Sequence, residues 1–163
     1  MKKLYLIRHA KSSWEEAVED KRRPLSERGI KDAQLVSSEI IQFLPKSFIV
    51  WCSPAKRTTE TARIFLQKMF YSLDNIIFKD DLYTFDMNQL MKTIKSCDNV
   101  YDSIILFGHN SAITDFVNKF GDTFIENIPT SGFVSINFEI DSWMDLKKGK
   151  TKRIVFPKDL KNK

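Results

Sequence analysis

The sequence has few cysteines and no long apolar run. Only two of its 163 residues are cysteines, Cys52 and Cys97, so a disulfide framework is not expected and a reducing cytoplasm is the predicted compartment. No apolar stretch approaches the roughly 20 residues that a membrane span requires. Arg8 and His9 interrupt the first apolar run after a few residues, which argues against a signal peptide.

Several motifs for phosphate and metal chemistry are also missing. The chain has no Gly-x-x-x-x-Gly-Lys loop for a nucleotide. One residue too few separates Cys52 from Arg57 for the loop of cysteine phosphatases, and Thr58 stands where that arginine is required. The only two histidines, His9 and His109, are far apart in sequence and have no cysteine or carboxylate cluster beside them. We therefore expect no zinc site, no other metal and no cofactor.

The remaining composition is that of one folded domain covering residues 1–163. Apolar residues make up 42% of the chain and include thirteen phenylalanines, which is enough to build a core. The net charge of +5 arises at one end, because residues 147–163 hold eight Lys or Arg and one acidic residue. We interpret 147–163 as a solvated basic strand and tail. Nucleic-acid binding is the alternative, but no aromatic ladder or recognised motif accompanies these charges.

Strand-like apolar runs alternate with segments of helical period. Ser26 is predicted to cap a first helix, Ser53 with Pro54 to begin a second, and Ser111 to cap a later helix that Gly121 ends. Another helix is expected over 87–94. Strands are expected at 4–7, 48–51, 76–78, 103–107, 133–140 and 152–156. This alternation predicts a three-layer α/β/α fold with a mostly parallel central sheet and helices on both faces.

Hydrogen-bonding and cationic side chains follow three of the predicted strands. In open α/β sheets, ligands bind beyond the carboxyl ends of the strands, so these side chains are expected to meet. Each of them alone has an ordinary structural explanation, but three such strand ends together do not. Arginine forks match phosphate oxygens in pairs, and the absent cysteine loop leaves histidine as the nucleophile. The residues are Arg8, His9, Cys52, Ser53, Arg57, His109 and Asn110.

Four sequence blocks in order carry a family resemblance. They are LIRHAKS at 6–12, RPLSERG at 23–29, SPAKRTTETA at 53–62 and GHN at 108–110, with TSG at 130–132 in addition. Together they resemble the histidine phosphatase (phosphoglycerate-mutase-like) superfamily. They fit its short branch, the SixA-type phosphohistidine phosphatases.

The resemblance implies a metal-independent phosphatase that works through a covalent phosphohistidine intermediate. By this resemblance His9 attacks phosphorus, while Arg8, Arg57 and His109 bind the phosphoryl oxygens. The substrate would be a phosphorylated protein or a small phosphorylated molecule. Two further residues are expected to bind substrate. They are Asn110 and Arg23, the latter at the pocket rim with Asp20 as a partner and Arg22 as its alternative.

The sequence departs from the superfamily pattern in two places. Ala10 follows the Arg-His pair where glycine is usual, and Leu82-Tyr83-Thr84 lies where larger members carry a Leu-x-Glu block, so their glutamate general acid is missing. Without an acid an alkoxide leaves with difficulty, whereas phosphohistidine releases an imidazole whose conjugate acid has a pKa near 6.5. This favours phosphohistidine as substrate. Solvation is the ordinary explanation for the nearby carboxylates Asp80, Asp81 and Asp86.

Two alternative functions remain open at the level of sequence. A small-molecule phosphomonoesterase would use one of the loop aspartates as its acid. A non-catalytic module that binds phosphate or a phosphoprotein would need the arginines but no nucleophile.

Overall fold

A computed structural model describes residues 1–161 of the chain, and within them six strands form one sheet. The strands are β1 (Lys2–Arg8), β2 (Ile49–Cys52), β3 (Ile76–Phe78), β4 (Ser103–Gly108), β5 (Phe133–Phe138) and β6 (Lys150–Val155). Their order across the sheet is β3-β2-β4-β1-β5-β6. Strands β1 to β4 run parallel to one another. At one side of the sheet, β5 pairs antiparallel with β1, and β6 pairs antiparallel with β5. The sheet is therefore mixed but mostly parallel, as predicted.

Helices cover both faces of this sheet. They are α1 (Glu27–Ile40), α2 (Lys56–Lys68), α3 (Met87–Lys95), α4 (Ala112–Phe120) and α5 (Pro157–Lys161). Helices α1 and α2 supply apolar side chains to a core on one face, whereas α3 and α4 supply those of the core on the other. The predicted three-layer α/β/α fold is confirmed.

The two cores follow from the alternation of side chains along the central strands. In β1, Leu4 and Leu6 belong to the core beneath α3 and α4, while Tyr5 and Ile7 belong to the core beneath α1 and α2. Successive side chains of a strand point to opposite faces, so a strand covered on both sides reads as an uninterrupted apolar run. All six residues of β4 are buried for the same reason.

Two predicted helix starts differ from the structure. Helix α2 begins at Lys56 with Ala55 as its N-cap, so Ser53 and Pro54 do not start it. Ser111 does precede α4, but its side chain makes no capping hydrogen bond. Instead the Asn110 side-chain oxygen accepts the backbone N–H of Thr114 at 3.0 Å.

The basic carboxyl-terminal segment has more structure than the predicted strand and tail. Strand β6 is followed by helix α5, and Lys161 Nζ lies 2.8 Å from a carboxylate oxygen of the buried Asp32 in α1. This ion pair attaches the segment to the body of the domain. The end of the expected tail, Asn162 and Lys163, lies outside the described residues.

Helix α1 passes very close to the chain that leaves β1. The N–H and hydroxyl of Ser26 both donate to the Lys11 carbonyl oxygen, at 2.9 and 3.1 Å. Ser26 also caps α1, accepting the N–H of Gly29 at 3.0 Å. A Cβ placed on Gly29 would lie 2.1 Å from that same Lys11 oxygen. Only glycine fits at this contact.

We predict that Gly29→Ala destabilises the fold by about 2 kcal/mol or more, although alanine favours a helix by up to about 1 kcal/mol. The clash is with backbone, which cannot rotate away as a side chain can. Urea unfolding measures the change. Gly108→Ala is the control, because its Cβ would meet only side-chain atoms, of Leu106 at 3.3 Å and of Ile113 at 3.5 Å. Equal losses for the two variants would contradict the backbone-clash explanation.

Candidate active site

His9 lies at the carboxyl end of β1 with its backbone fixed from two sides. Its N–H donates to the Gly108 carbonyl at 3.1 Å, and its carbonyl accepts the N–H of Ser131 at 3.2 Å. The ring nitrogen Nδ1 lies 2.7 Å from the Ala10 carbonyl oxygen. A carbonyl can only accept, so Nδ1 carries the proton and the lone pair is on Nε2. This is the tautomer that a nucleophilic imidazole requires.

His109 lies directly across from His9, at the end of the neighbouring strand β4. The two ring centroids are 5.3 Å apart and both residues are buried. A guanidinium nitrogen of Arg57, Nη2, lies 3.5 Å from His109 Nδ1, and the Ser53 hydroxyl lies 2.8 Å from Nε2. Because a guanidinium only donates, Nδ1 is the acceptor and Nε2–H points to Ser53. Ser53 therefore orients the His109 ring instead of capping α2.

Asp20 joins two arginines of the site. Arg57 donates to the Asp20 backbone carbonyl at 2.7 Å and to carboxylate oxygen Oδ2 at 3.0 Å. Arg23 pairs with the other oxygen, Oδ1, at 3.1 Å. The Tyr83 hydroxyl donates to Oδ2 at 2.5 Å, and its ring lies 5.3 Å from the His109 ring. One carboxylate thus ties the loop before α1 to helix α2 and to the loop after β3.

Two guanidinium groups of the site keep a buried N–H without a partner. Arg8 uses Nη1 on the Ile128 carbonyl at 2.8 Å, but its Nε makes no hydrogen bond within the described chain. The Nε of Arg57, whose side chain is only 2% exposed, is likewise unpartnered among residues 1–161. A buried charged donor without an acceptor is costly, roughly 1–3 kcal/mol or more. Such donors suit an anion bound beside His9.

The contacts of Arg23 and Arg22 distinguish the two candidates for the arginine at the pocket rim. The Arg23 side chain is 8% exposed, pairs with Asp20, donates to the Ser12 hydroxyl and stacks 3.5 Å from the Trp14 ring. The Arg22 side chain is 75% exposed and lies 3.9 Å from Glu19. Arg23, not its neighbour, is therefore turned toward the site.

The amide of Asn110 is occupied within the protein. Its oxygen accepts from the backbone and hydroxyl of Thr114, and its nitrogen donates to Asn127 at 2.8 Å and to the Ile128 carbonyl at 3.3 Å. Ile128 is also the residue whose carbonyl holds Arg8. Asn110 and Arg8 therefore share the Ile128 carbonyl as a hydrogen-bond acceptor.

Sequence reasoning brings Ser53 to the site but misses its contact with His109, and it misses the site contacts of Tyr83 and Trp14 altogether. The Ser-Pro pair favours a helix cap for Ser53 equally well. The loop that holds Tyr83 is predicted only as the place where the general acid is missing. The loop carboxylates Asp80, Asp81 and Asp86 are exposed, and Asp86 caps α3 by accepting the N–H of Asn88 at 3.2 Å. The site could have been found more fully from the aromatic character of that loop.

Comparison with known proteins identifies the family of the chain. The family model of the histidine phosphatase superfamily (branch 1) matches residues 4–103, which is more than half of the chain. The chain belongs to this superfamily. A comparison of the chain with curated proteins gives no match.

Solved structures similar to this histidine phosphatase include three SixA proteins. The protein histidine phosphatase SixA complexed with tungstate has a TM-score of 0.81 at 17% identity, covering 97% of this chain and 99% of that one. The protein assigned as phosphohistidine phosphatase SixA in Nakamurella multipartitia scores 0.78 at 21% identity, covering 96% of each chain. Its counterpart in Agrobacterium tumefaciens scores 0.76 at 21%, covering 94% and 97%. At these identities the likeness establishes a shared fold.

The described residues of this histidine phosphatase include neither a membrane-spanning helix nor a cluster of metal ligands. No helix among them is both long and apolar enough to cross a bilayer. Residues 1–161 contain no group of three or more His, Cys, Asp or Glu side chains placed to hold a metal ion. Cys52 is buried in the core, and burial raises the pKa of its thiol, which removes it as a candidate nucleophile.

The electrostatics of this histidine phosphatase keep both imidazoles neutral. Burial, followed by the positive charges of Arg57, Arg8 and Arg23, lowers the pKa of His9 to about 4. Burial and the proximity of His9 and Arg57 lower the pKa of His109 to about 3. The Tyr83 hydrogen bond and the two arginines lower the pKa of Asp20 to about 2. At neutral pH the site therefore holds neutral histidines, charged arginines and an ionised Asp20.

We predict that neither histidine titrates near pH 6.5 in the folded protein. The chain has only two histidines, so two imidazole proton resonances can be followed by NMR. Both should keep their neutral shifts down to about pH 5, because the pKa of His9 is about 4 and that of His109 about 3. In the urea-unfolded chain, the control, both should titrate near 6.5. A folded-state midpoint between 6 and 7 would contradict the neutral pair.

The lowered pKa values of His9 and His109 also determine how the free energy of unfolding depends on pH. Between about pH 6.5 and 4 the unfolded chain binds protons that the folded chain does not, so the free energy of unfolding falls as the pH falls. Above the unfolded pKa both states are neutral and the contribution is constant. The measured stability should therefore decline below pH 6.5.

Proposed function

We propose that this protein is a phosphohistidine phosphatase that acts on a phosphorylated protein with His9 as nucleophile. One observation carries the proposal. The neutral His9 ring, with its lone pair on Nε2, lies beside the guanidinium groups of Arg8 and Arg57, whose buried Nε–H donors have no partner among the described residues. A tetrahedral oxyanion supplies the acceptors that these donors lack.

The reaction proceeds in two transfers. First, the lone pair of His9 Nε2 attacks phosphorus while the bond from phosphorus to the substrate nitrogen breaks; the other ring nitrogen of the substrate carries a proton, so the bond electrons leave with it as a neutral imidazole. Then water attacks the phosphorus, the bond to Nε2 breaks, and His9 and inorganic phosphate are regenerated. Arg8, Arg57 and His109 stabilise the charge on the equatorial oxygens in both steps, with the arginine charges doing the work that a metal ion does elsewhere.

The surrounding residues support a substrate with an easy leaving group. Asp20 is the carboxylate that contacts the site arginines, and its pKa of about 2 keeps it ionised, so it has no proton to donate. Asp80, Asp81 and Asp86 are exposed. An alkoxide would leave unprotonated, whereas the imidazole of phosphohistidine leaves without such help. The shared fold with SixA proteins points to the same substrate class.

Two further residues complete the proposed site. Arg23 and Arg57 contact different oxygens of the Asp20 carboxylate. In this proposal Arg23 contacts the incoming phosphorylated segment. Asn110 acts indirectly: its amide holds the Ile128 carbonyl to which Arg8 donates. We therefore propose Asn110 as a positioning residue for Arg8.

The nucleophile is tested by trapping the phosphorylated enzyme. After brief exposure to phosphoramidate, intact-mass spectrometry of the wild type should show one added, acid-labile phosphoryl group, which peptide mapping places on His9. His9→Ala should show none. His109→Ala is the matched control, since it also loses a neutral buried imidazole but keeps the nucleophile, and it should still be labelled, more slowly. Label on the His9→Ala protein would disprove the assignment.

The leaving-group argument is tested with two peptides of one sequence that carry phosphohistidine or phosphoserine at the same position. We expect kcat/KM to be at least about 100-fold higher for phosphohistidine, the rate that a missing general acid typically costs an ester. A chelator should leave both rates unchanged. Equal rates would favour the small-molecule phosphomonoesterase instead, and no turnover of either peptide would favour a binding module.

A further inference from the structure

The Asp20 carboxylate occupies the anion-binding side of the site. Its side chain is 45% exposed, while the Arg23 and Arg57 side chains that it contacts are 8% and 2% exposed. Both carboxylate oxygens are used: Oδ1 by Arg23 and Oδ2 by Arg57 and the Tyr83 hydroxyl. An exposed acidic side chain on a loop is thus held in place by two buried cations.

These contacts place a negative charge next to the proposed phosphate position. The same Arg57 nitrogen, Nη2, lies 3.0 Å from Asp20 Oδ2 and 3.5 Å from His109 Nδ1. Oδ2 is therefore only two contact lengths from the ring that faces His9. A phosphate bound between the histidines meets a guanidinium that already has a counter-ion, and it is repelled by the carboxylate itself.

Asp20 has two opposed effects on an incoming anion. It orients Arg57 and Arg23, which favours binding, and it neutralises part of their charge, which disfavours it. The orientation has other sources, because Arg57 also donates to the Asp20 backbone carbonyl at 2.7 Å and Arg23 stacks on Trp14. The negative charge has no substitute among the described residues around these two guanidinium groups. The repulsive effect should therefore dominate.

We propose that Asp20 is an internal counter-anion that weakens the binding of free phosphate, so that product is released and tight binding requires the rest of a phosphorylated protein. The proposal rests on the phosphatase function proposed above and makes Asp20 a specificity-determining residue for it. A bare dianion must compete with the carboxylate using only the site itself. A protein substrate adds contacts outside the site, where no such competition exists.

The test is the affinity of the whole protein for inorganic phosphate, measured at neutral pH by calorimetry. Asp20→Asn keeps a side-chain oxygen that accepts from Arg57 but removes the charge. We expect its dissociation constant for phosphate to be about three- to tenfold lower than that of the wild type. Asp20→Ser, a second neutral replacement, should shift in the same direction. Asp20→Glu restores the charge and should return the affinity toward that of the wild type.

Asp81→Asn is the matched control. It removes the same charge from the loop after β3, two residues from Tyr83, but Asp81 is exposed and contacts no guanidinium within the described chain. Its affinity for phosphate should not change. Inhibition of turnover by phosphate should strengthen in parallel with binding in the two neutral Asp20 variants and not in the control.

Two results would overturn the proposal. Weaker or unchanged phosphate binding by the folded Asp20→Asn and Asp20→Ser proteins would show that orientation outweighs repulsion. Equal tightening in Asp81→Asn would show a general charge effect. Because binding is measured without turnover, the outcome is separate from the proposed reaction. A wild-type protein that binds phosphate but hydrolyses no phosphohistidine would contradict the proposed function and leave the role of Asp20 standing.

Discussion

The register between β1 and β4 is the constraint on which the site depends. The two strands run parallel with Arg8 opposite Gly108, so His9 and His109 are each the first residue beyond the paired segment. The backbone hydrogen bond from His9 to Gly108 continues the ladder by one more step. Each residue of shift would move one ring by about 3.3 Å relative to the other. Residues a hundred positions apart meet because the apolar runs before them pair in one register only.

That register brings positively charged side chains together at a largely buried site. Their neighbours supply counter-charges and hydrogen-bond acceptors to some of them and not to others. Arg23 and Arg57 share Asp20, whereas Arg8 has only the Ile128 carbonyl. Burial keeps the two histidines neutral, because a charged imidazole would lose its hydration there. The positive charges of the arginines act in the same direction, since they repel a further positive charge. The same surroundings that keep His9 neutral therefore leave its neighbours short of acceptors. Buried N–H donors without an acceptor, such as Nε of Arg8 and Arg57, are costly, and the oxyanion of the proposed substrate would offset that cost.

Much of this could be read from the sequence, for a definite reason. Buried parallel strands are apolar throughout, so their ends are visible as the points where polar residues begin, as at Arg8 and His109. Helix α1 was visible because Ser26 caps it through a local hydrogen bond to Gly29. Strand ends and caps depend on neighbours in the chain, and the topology of a parallel sheet then places the strand ends together.

The contacts between loops could not be read in this way, because no local pattern encodes them. Tyr83 reaches Asp20 across 63 positions, and Ser53 reaches His109 across 56. The Ser53-Pro54 pair satisfies the local rule for a helix start, yet the buried imidazole of His109 needs a hydroxyl partner more than α2 needs a cap. Desolvation explains the preference: a buried polar ring without a partner costs more than an uncapped helix end at which water supplies the hydrogen bond. Where a local preference and a buried polar group compete for one side chain, the buried group decides, and such side chains gather at the site.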